Sequence, residues 1–321
     1  MATMRAMTMI DTGGPEVLEL AERDRPTRVG SEVLVRVLAA GVNPIDAKTR
    51  AGRGAFAAVE RLPVVLGNDF SGVVVESPYA AHPLQPGTEV FGMGMVPRMS
   101  GAYAEYLAVS SLSVVRKPAS LSHLEAAGVP LAALTAWGMV VDTAKAHEGQ
   151  RMLIHAGAGG VGHFAVQFAT YFGAHVIATG SARNAAWLRE LGAAEVVDYG
   201  SERFEERVDP VDVVIDLIGN ARDDTATRSL RILRPGGLIV SAPGGSWPTM
   251  AEETAEAGVR GTGYQVAPDG ATLAVIARLL DSGDVHVHVD RVLDLADAAE
   301  AHRLIDGGHV RGKLVLRVAE G

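Results

Sequence analysis

Three glycines in the middle of the chain have the spacing G-x-G-x-x-G, a pattern that can bind phosphate groups. Gly157, Gly159 and Gly162 stand between an apolar strand-like run, 152–155, and a helical run, 162–172. Only glycine allows the tight turn, the approach of backbone N–H groups to a pyrophosphate and the close packing of helix on strand. This context predicts a dinucleotide site, although glycine-rich turns without a ligand are common. The predicted binding turn comprises Gly157, Ala158, Gly159, Gly160, Val161 and Gly162.

The residues after the next strand distinguish between the two nicotinamide dinucleotides. A site for NAD places Asp or Glu about 20 residues beyond the glycines, to hold the ribose hydroxyls. Here Ser181 and Arg183 follow the strand, and the first acid is Glu190. Hydroxyl and guanidinium groups suit a 2′-phosphate, so the sequence predicts NADP (NADPH). Alternatively, Ser181 caps the next helix and Arg183 is solvated; Tyr199, after the third strand, either closes the phosphate pocket or covers the sheet.

The elements that must hold these residues change character near residue 120. Before it, short β-rich runs alternate with Gly and Pro, as in 32–39, 89–92 and 103–109. Beyond it, helices alternate with short apolar strands, which predicts right-handed crossovers and a parallel sheet. The sequence therefore predicts an α/β protein of two domains. A doubly wound domain, 125–267, is inserted into a β-rich domain formed by 1–124 and 268–321.

Composition argues against several classes of function. The 321-residue chain has no cysteine, which rules out disulfides, thiolate nucleophiles and zinc sites built on thiolates. Its formal net charge is −9 and its aromatic content is 5%, so we expect no binding to nucleic acid or to a membrane surface. It has no run of about 18 apolar residues and no apolar signal-peptide core after Arg5. We expect a cytoplasmic protein.

Several stretches, together with the glycine turn, resemble one family in the family's own order. They are Gly13-Gly-Pro-Glu-Val-Leu18, Ala40-Gly-Val-Asn43-Pro-Ile-Asp46-Ala-Lys48-Thr-Arg50-Ala-Gly52, Leu66-Gly-Asn-Asp69-Phe-Ser-Gly-Val73, Leu131-Ala-Ala-Leu-Thr135-Ala-Trp137, Leu233-Arg-Pro-Gly-Gly237 and His309-Val-Arg-Gly-Lys313-Leu-Val-Leu316. The chain is similar to the medium-chain dehydrogenase/reductase superfamily. Within it, the chain resembles the zinc-independent quinone oxidoreductases and enone reductases, which include zeta-crystallin-like proteins. The resemblance is specific to this branch and not to one substrate.

The resemblance implies a Rossmann NADP-binding domain inserted into a β-rich, GroES-like catalytic domain. It also implies an NADPH-dependent reductase that transfers hydride to quinones or α,β-unsaturated carbonyls, and a homodimer, often joined through the last Rossmann strand. Two other functions stay open. An enoyl-thioester reductase would need basic groups for the thioester carrier, and no basic run is evident. The other is a weakly catalytic NADPH-binding protein with a crystallin-like or regulatory role.

Zinc use divides this superfamily, so the missing cysteines favour its metal-free branch. Zinc-dependent members carry Gly-His-Glu where this chain has Gly67-Asn68-Asp69, and we expect no metal site. The remaining candidate ligands are His286, His288 and Asp290, which alternation would place on one face of a strand. Exposed strands with such residues are commoner than metal sites.

A conjugate reduction without metal needs hydrogen-bond donors for the negative charge that develops on the substrate oxygen. The resemblance places the loop 43–48 against the nicotinamide. There Asn43 would orient a ribose or substrate oxygen, and Lys48 would polarise the carbonyl. The alternatives are a turn residue before Pro44 and a solvated surface lysine. Asp46 is expected to order this loop.

The resemblance also suggests cofactor contacts elsewhere in the chain. Thr135 would lie near the nicotinamide, and Ile218 and Ser241 follow later Rossmann strands, at the carboxyl ends where open α/β sheets bind ligands. Lys313, in the returning C-terminal segment, has either a cofactor-binding or a structural role. No residue is a convincing proton donor to carbon, since Tyr103 is interpreted as a packing residue, and solvent is the default.

Overall fold

The computed structural model describes residues 2–97, 100–221 and 223–320. It divides the chain into two compact units, one formed by 1–134 with 267–321 and the other by 135–266. The first division therefore follows Leu134, whereas the sequence suggested residue 124. The intervening helix, His123–Ala127, packs on strands of the first unit, which assigns it to that unit.

Strands occur in both units and are numbered here in chain order. Among the described residues they are β1 (Thr3–Met9), β2 (Leu18–Asp24), β3 (Glu32–Val42), β4 (Val64–Val65), β5 (Asp69–Glu76), β6 (Glu89–Met93), β7 (Tyr106–Ser110), β8 (Val114–Arg116), β9 (Arg151–Ile154), β10 (His175–Gly180), β11 (Glu195–Asp198), β12 (Val211–Asp216), β13 (Leu233–Ser241), β14 (Arg260–Gly263), β15 (Val289–Asp294) and β16 (Lys313–Arg317).

Helices connect these strands, and most are short. The α-helices are α1 (Pro44–Arg50), α2 (His123–Ala127), α3 (Pro130–Trp137), α4 (Gly162–Tyr171), α5 (Ala185–Glu190), α6 (Phe204–Arg207), α7 (Thr225–Ser229), α8 (Met250–Glu256), α9 (Gly270–Ser282) and α10 (Ala298–Gly307). Short 3₁₀ turns occur at Pro15–Val17, Phe56–Ala58, Ser111–Ser113, Ala182–Asn184, Leu230–Ile232 and Leu295–Asp297, and a π-helical segment at Gly138–Thr143. Within the described part of the chain, none of the helices combines the length and apolar character needed to cross a membrane.

The first unit is built around β3, which is buried over nearly all of its length. Its larger sheet has the order β15-β16-β3-β5-β6-β8, with β7 also paired to β3, and a smaller sheet has the order β2-β1-β4. Valine side chains of β3 pack in one core with residues of β5 and β16. At its end, Gly41 pairs with Asp69 and Val42 pairs with Leu314. The chain leaving β3 therefore emerges between the first residues of β5 and β16.

The second unit holds a six-stranded sheet of order β11-β10-β9-β12-β13-β14, in which neighbouring strands are parallel. The chain proceeds outward from β9 to β11 and then returns to β12 on the other side of β9. This doubly wound order is that of a Rossmann domain and confirms the predicted fold class. Ligands of such sheets bind beyond the carboxyl ends of the strands, where the order reverses. Here that position lies beyond Ile154 and Asp216, the last residues of β9 and β12.

Candidate active site

The glycine turn follows β9, and its geometry excludes a side chain at Gly162 and leaves little room for one at Gly157. A Cβ atom on Gly162 would lie 2.1 Å from the carbonyl oxygen of Ala156, and one on Gly157 would lie 3.0 Å from the Cβ of Ala178. The Gly157 N–H donates to the carbonyl oxygen of Thr179 in β10 (2.9 Å), which joins the turn to the neighbouring strand. The bare backbone from 157 to 162 therefore fits the pyrophosphate of a dinucleotide.

A buried hydrogen-bond chain supports the start of this turn. Ala156 has a φ of +50°, a left-handed conformation, and its N–H donates to Thr179 Oγ1 (3.1 Å). His155 lies beside Thr179 Oγ1 through Nδ1 (3.3 Å) and beside Ser229 Oγ through Nε2 (2.8 Å). Burial lowers the pKa of His155 to about 4, so the ring is neutral near neutral pH. Because the Ser229 hydroxyl donates to the Thr225 carbonyl oxygen, Nε2 is the protonated nitrogen of His155.

The predicted phosphate-binding residues lie where β10 and β11 end. Arg183 and Tyr199 are exposed, and Ser181 accepts a hydrogen bond from the Asn184 amide (3.2 Å). The hydroxyl hydrogen of Ser181 can therefore be donated to a ligand. Asp198 is also present here, since its Cα pairs with that of Gly180 at the end of β10. Sequence reasoning missed it because it searched for an acid only beyond β10.

Two other predicted cofactor residues of this unit, Ile218 and Ser241, are hydrogen-bonded to Asp216, the last residue of β12. One carboxylate oxygen accepts the backbone N–H of Ile218 (2.9 Å), and the other accepts the Ser241 hydroxyl (2.6 Å). Asp216 therefore joins the ends of β12 and β13 and occupies the Ser241 hydroxyl hydrogen. Ile218 is 37% exposed. Thr135, on α3, is buried and is the first residue of the unit.

In the first unit, Asn43 and Lys313 belong to one buried cluster. The Asn43 amide nitrogen donates to Asp69 Oδ2 (2.9 Å), and its oxygen accepts from the Lys313 ammonium (2.5 Å). Lys313 also donates to the carbonyl oxygen of Val42 (3.0 Å) and lies 3.8 Å from Asp69. Asn43 and Lys313 are 1% and 3% exposed. The structure thus brings together two residues for which the sequence suggested different roles.

Two buried carboxyls in this cluster, those of Asp46 and Asp69, have pKa values above the usual range for Asp. Burial raises the pKa of Asp46 to about 7, with repulsion from Asp69 adding to the effect and the Asn43 N–H opposing it. Burial also raises the pKa of Asp69 to about 6, while the Lys313 charge and hydrogen bonds from Asn43 and the Leu131 N–H lower it. Burial lowers the pKa of Lys313, against the attraction of both carboxylates.

Asp46 makes a local contact that orders the loop, as expected, and it also has partners that sequence reasoning missed. Its Oδ2 accepts from the Asn43 N–H (2.9 Å), which fixes the first turn of α1, and from the Tyr103 hydroxyl (3.1 Å). Its Oδ1 accepts from the Asn68 amide (3.3 Å). Tyr103 is therefore a hydrogen-bonding residue as well as a packing residue. The Tyr103 hydroxyl also lies 3.4 Å from Nε2 of buried His302 on α10.

Comparisons with known proteins agree with both halves of this arrangement. Residues 30–119 match the family described as alcohol dehydrogenase GroES-like domain, and 191–316 match the one described as zinc-binding dehydrogenase. The quinone oxidoreductase from Coxiella burnetii has a similar structure, with a TM-score of 0.94, 37% identity, and coverage of 99% of this chain and 100% of that one. The chain belongs to the medium-chain dehydrogenase/reductase superfamily. Its place is in the zinc-independent branch that includes quinone oxidoreductases.

Two further members of this superfamily show what related chains bind or act on. The NADPH-dependent alkenal/one oxidoreductase of Arabidopsis thaliana, a chloroplastic protein, is 33% identical over 98% of this chain and 79% of its own length. The Escherichia coli quinone oxidoreductase, solved in complex with NADPH, has a TM-score of 0.87 and 28% identity, and covers 99% of this chain and 100% of its own.

The two catalytic candidates in the loop 43–48, Asn43 and Lys48, differ in their exposure to solvent. Lys48 is exposed on α1, whereas Asn43 is buried. Because Lys313 and Asp69 occupy the Asn43 oxygen and one amide hydrogen, only the second amide hydrogen of Asn43 has no partner among the described residues. Lys48 is thus the candidate whose charged group is accessible to solvent.

The histidines considered as metal ligands do not share a strand face. The predicted strand 286–292 begins only at Val289, so His286 and His288 precede β15 and the expected alternation does not apply to them. Across 2–97, 100–221 and 223–320, no group of three His, Asp or Glu side chains is arranged to hold a metal ion.

Proposed function

We propose that this chain is an NADPH-dependent reductase that transfers hydride to quinones or α,β-unsaturated carbonyls. The observation that carries the proposal is the glycine turn at the reversal of the parallel sheet, where a Cβ on Gly162 would meet the Ala156 carbonyl oxygen at 2.1 Å. The substrate class is supported by the relatives, which include an alkenal/one oxidoreductase and quinone oxidoreductases. The 2′-phosphate preference is supported by Ser181 and Arg183 beyond β10.

In this reaction, different residues of the chain would bind the cofactor, polarise the substrate and position the loop. Bound NADPH would supply the hydride. Backbone N–H groups of 157–162 would bind the pyrophosphate, and Ser181, Arg183 and Tyr199 the 2′-phosphate. Lys48 would donate a hydrogen bond to the substrate oxygen, on which negative charge develops during reduction. Asn43 would fix the loop that carries Lys48, since its amide is tied to Asp69 and Lys313.

We also propose that the protein is a homodimer and that it acts in the cytoplasm. The first proposal is supported by β14, an edge strand of the parallel sheet in which three of four residues are exposed, because an exposed edge can pair with another chain. Sedimentation velocity would test the dimer: a monomer at micromolar concentration contradicts it. Cell fractionation would test the location.

The activity is tested by NADPH oxidation with a quinone, a small enone and an enoyl thioester, beside equilibrium titrations with NADPH and NADH. We expect oxidation with the quinone or the enone. Tight NADPH binding without oxidation by any of them would favour a non-catalytic NADPH-binding protein. Oxidation by the thioester alone would favour an enoyl-thioester reductase.

Replacing Arg183 tests the cofactor assignment. We expect Arg183→Ala to weaken NADPH binding by about 1.5–3 kcal/mol, which is the worth of a hydrogen bond to a charged group. NADH affinity should not change, because NADH lacks the 2′-phosphate. Arg189→Ala is the matched control, since Arg189 is exposed on α5 and donates only to the Ala185 carbonyl oxygen among the described residues. An unchanged NADPH affinity in Arg183→Ala contradicts the assignment.

A further inference from the structure

Asp198 places a carboxylate among the residues proposed to bind the 2′-phosphate. It is the last residue of β11, and its Cα pairs with Gly180 at the end of β10, next to Ser181. Its carboxylate accepts hydrogen bonds from the Gly200 N–H (3.0 Å) and the Ser201 hydroxyl (2.9 Å), and it lies close enough to the Ala182 N–H to be stabilised by it. Ala182 stands between Ser181 and Arg183, so the carboxylate lies beside the segment that carries both.

The charge on Asp198 is firmly negative at neutral pH. Hydrogen bonds from Gly200, Ser201 and Ala182 lower the pKa of this carboxyl below its usual value. A 2′-phosphate in this place would thus be attracted by Arg183 and repelled by Asp198.

We propose that Asp198 is a specificity-determining residue that opposes the 2′-phosphate of NADPH and favours the unphosphorylated ribose of NADH. The inference rests on the proposed function, because it assumes that the adenosine end of a nicotinamide dinucleotide binds at the ends of β10 and β11. A carboxylate is the group that holds ribose hydroxyls in sites for NAD, where it usually follows the second strand. Here the acid comes from the third strand but reaches the same segment. Ser181 and Arg183 thus favour NADPH, while Asp198 limits that preference.

The test is the ratio of the dissociation constants for NADH and NADPH in Asp198→Asn. Asparagine keeps an acceptor oxygen for the Gly200 N–H, and its amide can donate to the Ser201 hydroxyl, so the bonds to both residues are retained. Removing one charge near a phosphate at a solvated surface should raise the ratio of the NADH to the NADPH dissociation constant by roughly three- to tenfold. Asp209→Asn is the control, because Asp209 is exposed and precedes β12. It therefore lies at the amino-terminal ends of the parallel strands, whereas Asp198 lies at a carboxyl end.

The outcomes separate this inference from the proposed function. A ratio that rises in Asp198→Asn and not in Asp209→Asn supports the role of Asp198. A ratio that is unchanged, with both cofactors bound as before or both weakened equally, overturns it and leaves the proposed function intact. If the unmodified protein binds neither cofactor, the proposed function itself fails. Asp198→Glu keeps the charge and should keep the original ratio; a rise equal to that of Asp198→Asn would also overturn the inference.

Discussion

Replacing Asp46 by asparagine is expected to stabilise the unit formed by 1–134 and 267–321 at neutral and alkaline pH. Burial raises the pKa of Asp46 from 3.8 to about 7, so in the folded protein this side chain gives up its proton only above neutral pH. Asparagine resembles the protonated form: its oxygen can accept from the Asn43 N–H and the Tyr103 hydroxyl, as Asp46 does. Its amide can donate to Asn68 Oδ1, which has no hydrogen-bond partner among the described residues, once the Asn68 amide turns over from its present orientation with the nitrogen towards Asp46.

The magnitude follows from the difference in proton binding between the folded and unfolded chains. Between pH 3.8 and about 7, Asp46 is ionised in the unfolded chain and protonated in the folded one, so the free energy of unfolding falls as pH rises. The slope is about 1.4 kcal/mol per pH unit, and the full loss is on the order of 4 kcal/mol. The contribution is fully present below pH 3.8 and is lost by about pH 7. Allowing about 1–2 kcal/mol for less favourable amide hydrogen bonds, Asp46→Asn should gain about 2–3 kcal/mol above neutral pH and lose about 1 kcal/mol at about pH 4.

The assay has to report on the unit that contains Asp46. All three tryptophans, Trp137, Trp187 and Trp247, lie in 135–266, so tryptophan fluorescence follows the other unit. Amide hydrogen exchange in increasing urea, measured by mass spectrometry on peptides from β3 and β5, reports on the unit that contains Asp46. Measurements at about pH 5 and about pH 8 give the slope for the unmodified protein and for Asp46→Asn.

Asp69→Asn is the matched control, because Asp69 is equally buried but lies 3.8 Å from the Lys313 ammonium. Removing that charge leaves the Lys313 ammonium without its nearest carboxylate, so Asp69→Asn should not show the gain in stability expected of Asp46→Asn at about pH 8. The reasoning is refuted if Asp46→Asn lowers stability at about pH 8 and keeps the pH slope of the unmodified protein, since Asp46 would then be ionised in the folded state.

Two further substitutions test the glycine turn and the buried lysine. Gly162→Ala should weaken NADPH binding at least tenfold, since the added Cβ would lie 2.1 Å from the Ala156 carbonyl oxygen and must displace the turn; a titration equal to that of the unmodified protein contradicts this. Lys313→Met should destabilise its unit by several kcal/mol at about pH 8 and by clearly less at about pH 5, because Asp46 and Asp69 lose their cation but are largely protonated at the lower pH. Urea unfolding at both pH values measures the difference, and an equal loss at the two would count against the raised pKa values of Asp46 and Asp69.

Local sequence signals predicted the parts of the fold that depend on near neighbours. The strand, turn and helix around Gly157–Gly162 follow from spacing within a few residues, because the contacts that restrict the side chain at Gly162 come from the adjacent turn of backbone at Ala156. Strand and helix alternation likewise predicted the parallel sheet, which the order β11-β10-β9-β12-β13-β14 confirms. The strand expected at 286–292 was wrong at its start, since the strand begins at Val289 and the backbone before it is irregular. Periodicity does not show where pairing begins.

The candidate site depends on partners that are distant in sequence. Lys313 and Asn43 are 270 residues apart, and only the pairing of β16 with β3 brings them together. Asp69 appeared in the sequence as a departure from Gly-His-Glu, and nothing in its neighbours indicated a hydrogen bond to Asn43. Asp198 was missed for the same reason, because its contact with Ala182 crosses from one strand end to another.

The buried cluster also identifies which of its carboxyls holds a proton near neutral pH. Two buried carboxylates beside one ammonium would leave an uncompensated negative charge, which costs several kcal/mol in a water-poor interior. One proton removes that charge. Asp69 is the better anion, because Lys313 lies 3.8 Å away and both the Asn43 amide and the Leu131 N–H donate to it. Asp46 therefore holds the proton, in agreement with its higher pKa of about 7 against about 6 for Asp69. Lys313 thus supplies the positive charge beside Asp69, and its ammonium also fixes the start of the loop at Asn43.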